Sequence, residues 1–175
     1  IWILGQFIPS DSNVVMIPLA TAGNERINDA YFGKIPADRL QMNGNILHFK
    51  ADGRMRGKIG IPPGMTVPVC GALDTVNETL TIVRFSFNAS KGDYVNSMWE
   101  HQEEPYKGDV INSYNDGPLE DGSVMGPFYE LETSSPAANL KPGETHSHIH
   151  TTIHLKAPNE ILRTLSDRLL NGKDV

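Results

Sequence analysis

Apolar and polar residues alternate over many short segments of the chain, and this period of two is typical of β-strands. The clearest alternation runs through residues 46–61, where Asp52-Gly53 favours a tight turn. We predict a hairpin there, with one apolar face and one basic face. The basic face would present three cations, Arg54, Arg56 and Lys58.

The apolar runs 1–8 and 13–20 flank the turn residues 9–12, so a second hairpin is predicted. Further runs rich in β-branched and aromatic residues predict four more strands. These cover residues 67–73, 79–88, 128–133 and 145–155.

In two stretches the apolar residues show no regular spacing, and in a third stretch, near the end of the chain, they show the spacing of a helix. Residues 21–38 and 103–127 are rich in Gly, Pro, Asn and Asp, which predicts irregular structure in the first and a structured loop in the second. In residues 159–170 the apolar positions recur at helical spacing, with Pro158-Asn159 before them and Gly172 after them.

Many strands and one terminal helix predict an all-β fold, an antiparallel β-sandwich with a short C-terminal helix, with a barrel as the alternative. We see no repeat or linker that would divide residues 1–175, so one domain is expected. Ile1-Trp2-Ile3-Leu4 reads as the middle of a strand, without an initiator Met. We therefore expect that an N-terminal part of the domain precedes this chain.

The composition narrows the classes of partner. The formal net charge of −6 argues against a nucleic-acid partner bound through its phosphates. A single cysteine, Cys70, excludes an internal disulfide and a thiolate metal cluster, and we expect it to be a small core residue. No apolar run is long enough to span a bilayer, and the sequence leaves the compartment open.

Two glutamates alternate in the predicted strand 128–133. Glu130 and Glu132 would share a face with Phe128, while Leu131 would point to the core. Burial and a second carboxylate both raise a carboxyl pKa toward the range useful for acid–base chemistry. An ordinary solvent-exposed strand with two acids explains the pattern equally well.

The segment LETSSPAANLKPGE resembles the late segment of the galactose mutarotase (aldose 1-epimerase) family. That resemblance implies that Glu132 is the general base, which removes the proton of the anomeric hydroxyl. The family's general-acid histidine falls in a segment most similar here to residues 94–99, where Ser97 takes the histidine's place. A histidine elsewhere, such as His148, would then have to serve as the acid.

Nearly the whole chain is more similar to an uncharacterised bacterial family of mutarotase-like proteins. Segments that carry this resemblance include DAYFGKIPADRL, FKADGRMRGKIGI, PYKGDVINSYNDGP and FYELETSSPA. The resemblance implies a galactose mutarotase-like supersandwich, of which this chain would be the C-terminal part. It implies no established activity.

Three histidines, His146, His148 and His150, alternate and would share one face of the strand 145–155, with His154 at the same parity. Same-face residues lie about 7 Å apart, so two imidazoles could bind one divalent metal ion together with Glu130 or Glu132. A sugar-facing or acid–base role for one histidine is the second interpretation. The third is a histidine-rich strand whose rings only pack and form hydrogen bonds.

The polar loop 108–118 carries the groups that bind sugar hydroxyls and stack on pyranose rings. Its candidate ligand-binding residues are Asn112, Tyr114, Asn115 and Asp116, and Glu130 of the acidic strand is a further candidate. Trp99 could add a stacking surface, and Arg56 could face a sugar carboxylate. A loop that satisfies its own backbone is the competing explanation.

Taken together, these residues predict carbohydrate recognition. In the catalytic version Glu132 is the base and His148 the acid, and no cofactor is required. The alternatives are a non-catalytic carbohydrate-binding protein and a metal-dependent carbohydrate-active enzyme that uses the glutamates and histidines.

Overall fold

The computed structural model describes residues 1–20, 26–29, 31–89, 92–98 and 100–170. In this part the chain forms ten β-strands, one α-helix and a short 3-10 helix at Pro63–Met65. In chain order the elements are β1 (Trp2–Phe7), β2 (Val14–Pro18), β3 (Leu40–Asn43), β4 (Ile46–Lys50), β5 (Gly57–Ile61), β6 (Val69–Asp74), β7 (Thr79–Phe85), β8 (Ile111–Asn115), β9 (Tyr129–Ser134), β10 (His150–Lys156) and α1 (Asn159–Leu169).

The strands form two antiparallel sheets. Sheet A has the order β1-β9-β8-β5, and sheet B has the order β10-β7-β6-β2-β4-β3. The inner faces of the two sheets pack against each other, as in a sandwich, and share one apolar core. Its fully buried members include Ile17 and Phe49 from sheet B and Ile59, Ile111 and Leu131 from sheet A. The predicted all-β, antiparallel class is confirmed.

The helix α1 covers the outer face of sheet B. Leu162 is fully buried. It belongs to a second apolar cluster that includes Leu80 and Ile82 of β7 and Val69 and Leu73 of β6. The amide of Asn159 donates a hydrogen bond to the Thr75 carbonyl at 2.9 Å, which fixes the start of the helix on the β6–β7 turn. The predicted helix is confirmed, while its expected stop at Gly172 lies outside the described residues.

Both predicted hairpins are wrong in their pairing. Strand β4 pairs with β2 and β3 in sheet B, whereas β5 pairs with β8 in sheet A. Asp52-Gly53 does turn the chain, with a φ of +74° at Gly53, but the turn leads from one sheet to the other. Arg39 donates hydrogen bonds to the buried Asp52 carboxylate and so holds this crossover in place. Strands β1 and β2 likewise belong to different sheets.

The predicted loop 103–127 contains a central strand. Residues Ile111–Asn115 form β8, which lies between β9 and β5 and is buried along its whole length. Polar residues on a buried strand concealed it from a prediction based on hydropathy. Strand β3 was also missed, and β10 starts only at His150, so His146 and His148 precede it. Among the described helices, none has the length and apolar character needed to cross a bilayer.

Candidate functional site

The outer face of sheet A carries polar side chains in two rows that run across the strands. In the first row Glu130 of β9 faces Gln6 of β1 and Tyr114 of β8, and Tyr114 faces Lys58 of β5. Because directly opposed residues point to the same side of a sheet, these four side chains share one face.

The second row lies one pleat further along. Glu132 faces Leu4 of β1 and Asn112 of β8, and Asn112 faces Gly60 of β5. The intervening residue Leu131 is buried in the core between the sheets. The prediction that Glu130 and Glu132 share a face opposite Leu131 is confirmed.

A pocket of about 420 Å³ lies over this face of sheet A. Glu130, Lys58 and Gln6 contribute polar groups from the strands, and Trp2 and Tyr114 contribute aromatic rings. Three segments outside the sheet complete the walls, with Tyr31 and Phe32 from the first, Ser97 and Met98 from the second, and Phe128 from the loop before β9.

Glu132 lies beneath the pocket rather than in its wall. Its side chain is 0% exposed and pairs with the Lys58 ammonium, with 3.0 Å between Lys58 Nζ and Glu132 Oε2. The Trp2 indole N–H donates to the same oxygen at 3.0 Å. Glu132 Oε1 has no hydrogen-bond partner within the described part of the chain. The carboxylate therefore holds a lysine and a tryptophan that do line the pocket.

Glu130 is the strand carboxyl group that lines the pocket. Burial, and then the nearby charge of Glu132, raise the pKa of Glu130 to about 7. The rise that the alternating glutamates predict is thus present at Glu130. At neutral pH this group populates both protonation states, as a group that donates and accepts protons must.

A chain of hydrogen bonds runs from Arg56 through Tyr114 to Asp116. Arg56 Nε donates to the Tyr114 hydroxyl at 3.1 Å, and that hydroxyl donates to Asp116 Oδ1 at 2.7 Å. The backbone N–H of Gly126 donates to Asp116 Oδ2, which ties down the loop before β9. Arg56 also stacks on the Phe32 ring, 4.2 Å from its centroid. Asp116 thus fixes the position of two wall residues from below.

A second buried carboxylate supports Tyr31. The Tyr31 hydroxyl donates to Asp109 Oδ2 at 2.6 Å, and Asn112 Nδ2 donates to the Tyr31 hydroxyl at 3.0 Å. Burial raises the pKa of Asp109, and burial together with the Asp109 charge raises the pKa of Tyr31. Gly60 makes room for this group, because a Cβ there would lie 2.0 Å from Asp109 Oδ2. Tyr31 is therefore held in one orientation against the pocket.

The histidines lie on the other side of sheet A. His148 Nε2 and His150 Nδ1 both bond to Thr133 Oγ1, at 2.8 and 2.9 Å. Thr133 follows Glu132 in β9, so its side chain points to the opposite face. The structure therefore does not bring His148 to Glu132, the pair expected to act as acid and base.

The metal prediction concerns the same histidines. Among the described residues no group of three or more His, Cys, Asp or Glu side chains is placed to hold a metal ion. His148 and His150 instead share Thr133, and burial lowers the pKa of each imidazole. The metal prediction for His146, His148 and His150 gains no support from this arrangement and remains a prediction.

The predicted substrate-binding residues divide into three groups. Glu130, Tyr114 and Arg56 line the pocket. Asn112 and Asp116 are buried and do not line it. Asn115 is buried on the opposite face of β8 and bonds to the backbone of Gly53 and Met55. Trp99 lies outside the described residues.

Lys58, Trp2 and Tyr31 are pocket residues that sequence reasoning did not assign to the site. The sequence predicts Lys58 on the basic face of a hairpin with β4, whereas β5 pairs with β8. The parity of β1, in which Trp2, Leu4 and Gln6 alternate with Ile3, Gly5 and Phe7, was the available signal for Trp2. Tyr31 lies within the segment 21–38, which was predicted to be irregular and has no periodic signal.

Comparison with known proteins places the chain in a family. Residues 1–173 match a family described as a family of unknown function, DUF6786, and the chain belongs to that family. No curated protein and no solved structure gives a significant match. The expected membership of an uncharacterised family is confirmed, and the comparisons give no support to a relationship with galactose mutarotase.

Proposed function

We propose that this DUF6786 protein binds a carbohydrate in the pocket on the outer face of sheet A. The observation that carries the proposal is the composition of the wall. Two carboxyl groups, an amide and two cations lie there beside the rings of Trp2, Phe32 and Phe128. Sugars offer both hydroxyl groups and apolar C–H faces, so they match a wall that combines hydrogen-bonding groups and aromatic surface.

The support beneath the wall suits recognition of a polar ligand. Tyr31 is fixed by Asp109, and Tyr114 by Asp116. Lys58 is fixed by Glu132. Side chains that are already ordered lose less conformational entropy when a ligand binds, which favours affinity. The same support is expected of a binding protein and of an enzyme.

Proton transfer on the bound sugar is a second candidate function, and one observation favours it. Glu130 lines the pocket and has a pKa of about 7. In an anomer exchange Glu130 would take the proton of the anomeric hydroxyl, and the Lys58 ammonium would stabilise or protonate the ring oxygen. Glu132, the base implied by the family resemblance, becomes a positioning residue for Lys58. A mutarotase-like supersandwich fold remains part of this proposal. A metal-dependent enzyme at His146, His148 and His150 is a separate proposal, because His148 and His150 bond to Thr133 on the other side of sheet A.

Isothermal titration calorimetry with glucose, galactose, mannose, xylose, glucuronate and galacturonate tests recognition. NMR of anomer exchange, started from a pure anomer, tests catalysis. We expect at least one of these sugars to bind to the wild type. In Trp2→Ala the affinity for that sugar should fall at least tenfold or be lost. Glu130→Gln should abolish any accelerated exchange, while Glu103→Gln, an exposed residue outside the pocket wall, is the matched control. No binding of any sugar in this panel or of its oligomers contradicts the recognition proposal, and binding without exchange contradicts only the catalytic one.

A further inference from the structure

A second cavity adjoins the first. It has a volume of about 400 Å³ and is lined by Arg54 and Met55 on one side and by Pro118, Leu119 and Glu120 on the other. Phe32 and Arg56 line both cavities. The two spaces therefore lie next to each other at this pair of side chains, and together they are called the cleft below.

The junction is rigid and offers unused hydrogen-bond donors. The Arg56 guanidinium lies over the Phe32 ring, and Arg56 Nε is bound to Tyr114. For the two terminal nitrogens of Arg56, no acceptor and no paired carboxylate occurs in the part of the chain that the structure describes. Guanidinium N–H groups at a fixed position can donate to hydroxyl or ring oxygens on either side of the junction.

The size of the cleft exceeds the needs of one sugar. Pockets for drug-sized ligands span roughly 300–1,000 Å³, and a single hexose lies at the small end of that range. The first cavity alone can enclose one sugar unit. The second lies past Arg56, with the carboxyl group of Glu120 and the apolar surface of Leu119 available for the next unit, while the Arg54 guanidinium is already paired with Asp11.

We propose that the ligand is an oligosaccharide of at least two units, with one unit in the first pocket, the next in the second cavity, and Arg56 bonded to oxygens at the linkage. This inference rests on the proposed carbohydrate function and names the class of carbohydrate. It places the chain-length preference in residues 118–120, which contribute nothing to the first pocket.

Isothermal titration calorimetry with matched series of sugars tests the proposal. Each of four series contains a monosaccharide (glucose, mannose, xylose or galactose) with its β-1,4-linked dimer and trimer. A fifth series contains galacturonate with its α-1,4-linked dimer and trimer. In the series that binds, we expect the dimer to bind at least tenfold more tightly than the monomer. The double variant Leu119→Ala/Glu120→Ala should remove that difference and leave the affinity for the monomer unchanged. Both residues are exposed, so the variant should fold, and Leu140→Ala/Glu144→Ala is a matched exposed control.

The outcomes separate the two proposals. Equal affinities for monomer and dimer, within twofold, overturn the oligosaccharide inference and leave carbohydrate recognition in place. A dimer preference that survives in the double variant overturns the assignment of the second unit to this cavity. Failure of every sugar to bind overturns the proposed function itself.

Discussion

Lys58 and Glu132 form an ion pair that is almost completely removed from water, with 3.0 Å between Lys58 Nζ and Glu132 Oε2 and side-chain exposures of 10% and 0%. The lysine also faces the rings of Tyr31 and Trp2, 5.3 and 5.9 Å from their centroids. A charge taken out of water is stable only if its partner stays in place. The pair therefore connects the stability of sheet A to the arrangement of the pocket wall.

Removal of one partner should destabilise the protein strongly. We expect Lys58→Met to lower the free energy of unfolding by about 3–5 kcal/mol, because the Glu132 charge would remain buried without its partner. Urea denaturation at pH 7 measures the change. The exposed pair Lys107–Glu104 is the control, and Lys107→Met should cost less than about 1 kcal/mol. Equal costs for the two lysine variants would contradict the role given to the buried pair.

Hydropathy was enough to identify most strands but not their partners. The alternation around Ile59 showed which side chains share a face, because successive residues on a strand point to opposite sides. It held no information on whether β5 pairs with β4 or with β8. Register and pairing depend on contacts between segments distant in sequence, such as Ile59 with Ser113.

The site was predictable to the same extent. Strand parity correctly put Glu130 and Glu132 on one face. Of the residues selected by type as candidate sugar-binding groups, Tyr114 and Arg56 line the pocket, and their role in binding stays a prediction. Burial could not be foreseen, since polar side chains such as Asn115 and Asp116 carry no signal that they are fully enclosed. The partners that make their burial tolerable come from other parts of the chain, as when Gly126 bonds to Asp116.

The carboxyl group of Glu130 should make stability depend on pH. Its pKa is raised from 4.5 to about 7, so the folded state binds a proton more tightly than the unfolded state. Stability from this group is full below about pH 4.5 and is lost as the pH rises through about 7. We expect the free energy of unfolding of Glu130→Gln, relative to that of the wild type, to increase by about 1 kcal/mol from pH 5 to pH 8, after allowance for solvent screening. Thermal denaturation at both pH values measures it, and a gain that is equal at pH 5 and pH 8 would rule out this pKa.

His148 and His150, which bond to Thr133, should make the protein less stable as the pH falls, the opposite of the effect of Glu130. Burial lowers the pKa values of His148 and His150 below 6.5, so the folded state binds protons less readily than the unfolded state. Stability is then lost as the pH falls below about 6.5. The double variant His148→Gln/His150→Gln should lose less of its Tm between pH 8 and pH 5 than the wild type does.

Differential scanning calorimetry of the wild type, the double variant and a control variant measures this difference in Tm. A contribution of 1 kcal/mol corresponds to about 2–4 °C in Tm for a chain of this size. His101→Gln changes an exposed histidine and should leave the pH dependence as it is in the wild type. If the double variant and the wild type lose the same Tm on acidification, the pKa values of these two histidines are not lowered in the folded state.

Gly60 should be required for the support of Tyr31. A Cβ at this position would lie 2.0 Å from Asp109 Oδ2 and 2.9 Å from Asn112 Nδ2, two of the groups that hold the Tyr31 hydroxyl. We expect Gly60→Ala to lower the free energy of unfolding by about 1–3 kcal/mol through overpacking, and to weaken ligand binding because Tyr31 loses its fixed orientation. Gly126→Ala is the matched control, since the nearest atom to its new Cβ would be Phe128 Cδ1 at an ordinary contact distance of 3.4 Å. Urea denaturation and calorimetry on both variants decide the question, because a Gly60→Ala protein as stable as Gly126→Ala would mean that Asp109 can move aside without cost.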